Sequence, residues 1–202
     1  MTAKTVSSND FPKGDLWIFG YGSLIWRPGF DYLEARPAKL IGEHRALCIF
    51  SFYHRGTPEK PGLVLGLDRG GACQGMAYRV AENKRDEIIA YLRAREQVTS
   101  VYREVVRSVW LDGDARERVS AVAYVADRGH EQYAGRLSLN EQLHLVRGGH
   151  GSSGANDEYV IETVTALEAM NIRDSQLHQL AAMLRGDAAP KQWRAKRHSP
   201  SS

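Results

Sequence analysis

The order of apolar patterns along the chain is the feature that most limits its fold. Strand-like segments dominate up to residue 126, interrupted by one helical segment, and three helical segments follow from residue 138. Strands and helices do not alternate regularly, as they would in a doubly wound parallel sheet. The order therefore predicts an α+β domain with a small antiparallel or barrel-like sheet, without internal repeats.

The strand-like segments are short and separated by turn-forming residues. Gly70 and Gly71 lie between two of these segments, which we expect to pair as a hairpin around them. The predicted strands are residues 16–20, 38–50, 61–68, 72–80, 102–111 and 116–126.

Apolar residues at helical spacing predict the helices. These are residues 82–97, 138–148, 156–171 and 174–186. Asn156 and Asp174 are predicted N-caps, because their side chains can accept from the first free amides of a helix. Asn171 and Gly186 are predicted helix ends, since both residue types adopt the left-handed conformation readily.

Composition indicates a globular protein: 43% of the 202 residues are hydrophobic and 25% are charged. No apolar run is long enough to span a membrane, and residues 1–15 read as a flexible extension without a signal peptide. Cys48 and Cys73 are predicted to be buried free thiols, which indicates a cytoplasmic location. The domain is predicted to cover residues 16–187.

The net charge of +3 comes from the end of the chain. Four basic residues and no acid lie in the last twelve positions, so residues 1–190 carry 23 basic and 24 acidic side chains, a net charge of −1. A nearly neutral body argues against a nucleic-acid partner. Residues 188–202 are predicted to be a disordered basic tail.

Several familiar chemistries do not match the residues. The first glycine-rich loop has Ile25 where a dinucleotide fingerprint needs glycine, and residues 147–154 lack the lysine of a phosphate loop. Neither Ser23 nor Ser153 lies in a G-x-S-x-G elbow. The histidines lack metal-ligand spacing, so no metal or cofactor is predicted.

The sequence "WIFGYGSLIWRPGF", residues 17–30, breaks a buried strand with two glycines and a serine and then returns to apolar residues. A simple turn explains this pattern. Backbone amides that are exposed at the strand end to hold a ligand explain it equally.

Glu96 is the second unusual residue. It follows Leu92 by four positions and so lies on or beside the apolar face of helix 82–97. Glutamate is seldom buried without a partner. Either Arg93 or Arg95 neutralises it, or it points to water at the helix end, or it is a functional acid.

Five segments follow one another in a distinctive order: "FGYGSLIW" (19–26), "HRGTPEKPG" (54–62), "GMAYRV" (75–80), "RE" (95–96) with Tyr102 following, and "GSSGANDEY" (151–159). Together they resemble the ChaC-like family of γ-glutamylcyclotransferases, in its bacterial, glutathione-specific branch. The chain has "EQVTSVY" where the eukaryotic branch has Gly-Gly-Tyr after the glutamate, so the local pocket shape is expected to differ.

The resemblance implies a γ-glutamylcyclotransferase-like fold, a small and partly closed mixed β-sheet or barrel with flanking helices. It also implies conversion of glutathione to 5-oxoproline and cysteinylglycine without a cofactor, with Glu96 as general acid and base. The residues that it implies around the γ-glutamyl group are Tyr21, Gly22, Ser23, Leu24 and Tyr159.

Two further residues are candidates for substrate contacts. Arg55 lies in a loop that is either an ordered surface loop or the site of the glycine carboxylate of glutathione, since arginine suits carboxylate recognition. Tyr102 lies in a strand pattern, as do Tyr78 and Tyr124, and is the one that we expect to reach the pocket.

The chemistry explains why no nucleophile motif is present. The α-amine and γ-carbonyl of a γ-glutamyl group belong to one unit, so attack of one on the other closes a five-membered ring and expels the amine. One carboxylate can serve as base and then as acid if burial raises its pKa toward neutrality.

Two alternatives stay open. A protein that resembles this family could be a regulatory, non-catalytic protein linked to cation transport, or an enzyme for a broader set of γ-glutamyl peptides. The sequence predicts no nucleic-acid or membrane partner and leaves the oligomeric state unassigned.

Overall fold

The computed structural model describes residues 13–96, 100–113 and 117–186, apart from the Glu96 side chain. The predicted tail, residues 188–202, lies outside the described residues. Five strands close into a mixed barrel in the order β1-β3-β2-β4-β5, with β1 pairing parallel to β5. The strands are β1 (Leu16–Gly20), β2 (Glu34–Ser51), β3 (Gly62–Val80), β4 (Tyr102–Leu111) and β5 (Glu117–Ala126). The predicted α+β barrel is confirmed.

The hairpin predicted around Gly70 and Gly71 is wrong. Segments 61–68 and 72–80 form one long strand, β3, which pairs antiparallel with β2 from Ser51–Gly62 to Glu34–Arg79. Gly70 and Gly71 have φ of 99° and 70° and lie opposite a register shift in β2. They accommodate an irregularity in a long strand instead of a chain reversal, because β2 supplies pairing partners on both sides of them.

Within the described residues, four helices accompany the barrel: α1 (Arg85–Glu96), α2 (Leu139–Gly148), α3 (Asn156–Ala169) and α4 (Ser175–Arg185). Both ends predicted for α4 are confirmed. Asp174 caps it by accepting from the Leu177 amide, and Gly186, with φ of 78°, ends it. Ser138 caps α2 through a capping box with Glu141.

Asn156 does not cap α3, contrary to the prediction. Ala155 occupies the N-cap position without a side-chain hydrogen bond, and Asn156 is the first helical residue. Its fully buried amide hydrogen-bonds the backbone of Leu63 in β3. The unpaired backbone edge of β3, which lies beside the helix, binds this side chain in place of the first amides of α3.

The barrel wall is buried on both faces near β1. Leu16 and Ile18 pack in a cluster with α1, whereas Phe19 packs in the larger cluster that includes α3 and α4. Cys48 and Cys73 are buried free thiols, as predicted, and burial raises their pKa to about 12 and about 11. Across the described ranges, we find no helix with the length and apolar character needed to cross a membrane.

Candidate functional site

A cavity of about 410 Å³ opens beside the end of β1. The loop after β1, the loop between β2 and β3, and the last turn of α1 contribute to its walls. Glu96 is the last residue of α1, but its side chain lies outside the described residues. The seven residues predicted to contact substrate all line this one cavity: Tyr21, Gly22, Ser23, Leu24, Arg55, Tyr102 and Tyr159.

The loop after β1 is a single 3₁₀ turn, Ser23–Ile25. Its hydrogen bonds use the amide of Ile25, which donates to Gly22 O, and the amides of Trp26 and Arg27, which both donate to Ser23 O. They therefore do not consume the amides of Ser23 and Leu24, which begin the turn. The backbone at this strand end keeps donors that suit an anionic group.

The two glycines of this loop have different reasons to be glycine. A β-carbon at Gly20 would lie 3.0 Å from Leu24 Cβ, so the packing of the loop requires glycine there. A β-carbon at Gly22 would lie 3.5 Å from Leu65 Cδ1 and 3.7 Å from Tyr159 Oη, which are ordinary contacts. Packing within the loop therefore accounts for Gly20, whereas the backbone at Gly22 has room beside the cavity wall.

Buried polar side chains donate hydrogen bonds to the backbone carbonyls of this loop from inside the protein. Arg45, buried in β2, donates from Nε to Tyr21 O at 2.5 Å and from Nη2 to Gln74 O at 2.6 Å. The Tyr78 hydroxyl donates to Leu24 O at 2.9 Å, and burial raises the pKa of Tyr78 to about 12. The carbonyl groups of Tyr21 and Leu24 thus have hydrogen-bond donors inside the protein, and these hydrogen bonds fix the direction of the loop.

The last turn of α1 is attached to both sides of the site by two arginines. Arg95 donates from Nη2 to Ser23 Oγ at 2.8 Å and from Nη1 to Arg27 O at 2.7 Å. Arg93 donates to both carboxylate oxygens of Glu104 in β4, at 3.0 and 2.7 Å. The backbone of Glu96 therefore follows a turn that is tied to the loop and to the barrel.

Side chains cap the edge of β3 where the cavity opens. Asn156 accepts from Leu63 N at 2.6 Å and donates to Leu63 O at 2.8 Å. Two residues along, Leu65 N donates to Tyr159 Oη at 3.3 Å, and Leu65 O accepts from Tyr102 Oη at 2.7 Å. The N-x-x-Y spacing in α3 thus matches the i, i+2 spacing of the strand.

The segment 149–155 positions the loop that carries Arg55. Ser153 N donates to His54 O at 2.9 Å, and a β-carbon at Gly151 would lie 2.3 Å from Tyr53 O. Only glycine permits this backbone contact. Arg55 then donates from Nη1 to Ala155 O at 2.9 Å. Its guanidinium carbon lies 5.3 Å from the centre of the Tyr159 ring, so Arg55 belongs to the cavity wall.

Basic groups dominate the charged side chains described around the cavity. Arg27, Arg55 and Arg95 line it, together with the His54 imidazole and the carboxylate of Glu162. Burial lowers the pKa of His54, and the positive charges of Arg55 and Arg95 lower it further. This wall suits a small molecule with carboxylate groups.

The sequence analysis missed three side chains that shape the site. Arg45 and Glu104 are buried charged residues within strands, and Tyr124, interpreted as a core residue, also lines the cavity. Alternation along β4 gives a signal for Glu104, because it shares a face with Tyr102. Arg45 gives no comparable signal, since its partners, two backbone carbonyls and the Asp174 carboxylate, are distant in sequence.

A cavity at the end of a closed barrel, with arginine side chains in its wall, is typical of the class of proteins that bind a small molecule in a preformed site. A family model described as ChaC-like protein matches residues 16–187. The chain belongs to the ChaC-like family.

Named relatives agree with this assignment. The chain is 32% identical over 170 residues to the glutathione-specific γ-glutamylcyclotransferase of Escherichia coli K12, covering 83% of this chain and 72% of the relative. It is 32% identical over 185 residues to the human glutathione-specific γ-glutamylcyclotransferase 1, covering 88% and 82%. A crystal structure of the yeast γ-glutamyl cyclotransferase specific to glutathione shares the fold, with a TM-score of 0.79 at 23% identity, covering 86% of this chain and 97% of that one.

Proposed function

We propose that this protein is a glutathione-specific γ-glutamylcyclotransferase that converts glutathione to 5-oxoproline and cysteinylglycine. The observation that carries the proposal is the single cavity lined by all seven residues that the family resemblance and the sequence assigned to substrate. Relatives at 32% identity that bear this name support the choice of substrate. The enzyme class is a lyase that cleaves an amide by ring closure, without hydrolysis and without a cofactor.

The reaction depends on the conformation of the substrate, because the attacking nucleophile is the α-amine of the substrate itself. The α-amine loses a proton and attacks the γ-carbonyl carbon, the new C–N bond closes the ring, and the old amide C–N bond breaks as the cysteinyl nitrogen gains a proton. Holding the γ-glutamyl group in its ring-closing conformer raises the effective concentration of the amine. The cavity walls supply that conformer.

Glu96 is the proposed general acid and base. It takes the proton that the attacking α-amine loses and delivers it to the leaving nitrogen, so the carboxylate is unchanged over the cycle. Its place in the last turn of α1, which Arg93 and Arg95 attach to the barrel and to the loop after β1, supports the assignment.

The loop after β1 is the proposed cradle for the γ-glutamyl group. The amides of Ser23 and Leu24 bind its α-carboxylate or the developing oxyanion, and Gly22 leaves the room for it. Arg55 is the proposed partner of the glycine carboxylate, in keeping with its place in the cavity wall.

A direct assay tests the proposal. Purified full-length protein is incubated with glutathione, and 5-oxoproline and cysteinylglycine are quantified together by mass spectrometry. Equal amounts of the two products are expected. Absence of 5-oxoproline would favour the non-catalytic alternative, and equal rates on γ-glutamyl-alanine would favour the broader specificity. We also propose a cytoplasmic location, which rests on the free thiols and on a substrate of this kind.

A further inference from the structure

The side chain of Ser23 offers a hydrogen-bond donor to the cavity. Ser23 lines the cavity, and its Oγ accepts from Arg95 Nη2 at 2.8 Å. A guanidinium has donors and no acceptor, whereas a hydroxyl has lone pairs and one proton. Arg95 therefore uses a lone pair of Ser23 and leaves its proton for another group. Within the parts of the chain that the structure describes, that proton has no acceptor.

The contacts of Arg95 fix its positive charge beside this hydroxyl. Nη1 donates to Arg27 O at 2.7 Å, to Pro28 O at 3.3 Å and to Tyr91 Oη at 3.0 Å. These acceptors hold one arm of the guanidinium, and the other arm donates to Ser23. A positive charge at the hydroxyl oxygen polarises the O–H bond and makes it a stronger donor. The loop after β1 therefore presents a hydroxyl that suits an anion.

The position of Ser23 indicates which anion it contacts. Glutathione has two carboxylates, one on its glycine and one on the α-carbon of its γ-glutamyl group. Arg55, between β2 and β3, is the proposed partner of the glycine carboxylate. Ser23 belongs to the loop after β1, the proposed cradle of the γ-glutamyl group. The α-carboxylate is charged throughout the reaction, so it suits a donor that a permanent charge supports.

We propose that the Ser23 hydroxyl, supported by Arg95, donates a hydrogen bond to the α-carboxylate of the γ-glutamyl group and so selects substrates that carry this carboxylate. The inference rests on the proposed cyclotransferase function. It gives the side chain of Ser23 a substrate contact besides that of its amide, and it makes Arg95 a positioning residue for this contact.

The test compares glutathione with 4-aminobutanoyl-cysteinylglycine, which is glutathione without its α-carboxylate. This analogue keeps the amine and the γ-carbonyl, so its ring closure gives 2-pyrrolidone and releases the same cysteinylglycine. Release of cysteinylglycine measures kcat/KM for both compounds. The ratio of kcat/KM for glutathione to that for the analogue is the carboxylate preference. Where ring closure of the analogue is too slow to measure, its inhibition constant against glutathione replaces its kcat/KM.

Ser23→Ala removes the hydroxyl alone. We expect kcat/KM for glutathione to fall about ten- to a hundredfold, the scale of a hydrogen bond to a charged group. The constant for the analogue should stay within about twofold of the wild-type value, because the analogue never made the lost contact. The carboxylate preference should therefore fall by the same factor as kcat/KM for glutathione.

Ser153→Ala provides the matched control. Ser153 also lines the cavity, but its Oγ lies 3.0 Å from His54 Nδ1, in the segment that positions Arg55. The variant removes a cavity hydroxyl that belongs to another loop, and it should leave the carboxylate preference unchanged. A fall as large as that in Ser23→Ala would contradict the assignment to Ser23.

Arg95→Met tests the positioning role. This variant should lower the carboxylate preference when Ser23 is present. In the Ser23→Ala background it should change the preference by less than about twofold, because its effect passes through the hydroxyl. Equal effects in both backgrounds would mean that Arg95 acts on the carboxylate directly and would overturn its positioning role.

The outcomes separate this inference from the proposed function. If the wild-type protein makes no 5-oxoproline from glutathione, the proposed function fails. If it does, but Ser23→Ala weakens glutathione and the analogue equally, the hydroxyl serves the reacting carbonyl or the shape of the loop and the inference is overturned. Unchanged kcat/KM for glutathione in Ser23→Ala overturns it as well.

Discussion

The buried amide of Asn156 gives the sharpest test of how α3 holds the site. It hydrogen-bonds both backbone groups of Leu63, at 2.6 and 2.8 Å, and is fully buried. Asn156→Ala leaves that N–H and C=O without these partners at the edge of β3. An unsatisfied buried group costs about 1–3 kcal/mol, so the free energy of unfolding should fall by about 2–6 kcal/mol. That is a large part of a typical total of about 5–15 kcal/mol.

Urea denaturation at neutral pH measures this change, with an unchanged m-value as the condition for comparing midpoints. Asn140→Ala is the control, because Asn140 is exposed on α2 and its replacement should alter stability by less than about 0.5 kcal/mol. A loss below about 1 kcal/mol in Asn156→Ala would refute the capping of the β3 edge by this side chain.

Asn156→Asp separates the donor role from the acceptor role. A carboxylate at this position still accepts from Leu63 N but cannot donate to Leu63 O. Burial and the facing carbonyl favour the protonated acid in the folded state and so raise its pKa. Stability is then lost as pH rises through that pKa, and the difference from wild type should narrow on acidification. A constant difference across pH would contradict this reasoning.

Four further predictions concern the site. Glu96→Gln should fold as the wild type does by circular dichroism but lose turnover by at least about a hundredfold; near-normal turnover would remove Glu96 from the mechanism. Gly22→Val should raise KM for glutathione, because its side chain would enter the cavity beside Leu65 and Tyr159; unaltered binding by calorimetry would place the cradle elsewhere. Arg55→Ala should cost about ten- to a hundredfold in kcat/KM for glutathione and narrow its advantage over γ-glutamyl-alanine; a preserved preference would exclude Arg55 as the specificity residue. The pKa of His54 is lowered from 6.5, so its protonation opposes folding. The stability of the wild type should therefore fall as pH drops below about 6.5, and the fall should be smaller in His54→Asn. Equal slopes of melting temperature against pH in these two proteins, with His144→Asn as the control, would contradict this.

Local sequence patterns predicted the strands and helices well. They gave the wrong result at two places, where a local partner and a partner distant in sequence compete for the same residue. Gly70 and Gly71 are typical of a turn, yet pairing with β2 continues past them and makes one strand. Asn156 is typical of an N-cap, yet the open edge of β3 takes its side chain. In both cases the deciding partner lies in another segment, which no short window of sequence contains.

The candidate site follows the same rule. The resemblance to the family selected residues of the loop after β1 and Tyr159, which the structure brings together in one cavity. The residue patterns alone left the roles of Glu96 and Arg55 open. Arg45 and Glu104 escaped notice because charged residues in strands are usually interpreted as exposed. Their roles depend on partners such as Tyr21 O and Arg93, which become visible only in three dimensions.

The closure of the barrel through β1 also governs when the site forms during folding. β1 pairs with β3 and with β5, and the second pairing joins Trp17 and Ile18 to Ala121 and Val122, 104 residues further along the chain (121 − 17). Contacts of such separation carry a high loop-closure entropy and form slowly. The loop at Tyr21–Leu24 leaves directly from β1, so a chain with β2 to β5 already paired still lacks its cradle. The appearance of activity during refolding therefore reports the final closure of the barrel, whereas secondary structure reports earlier steps.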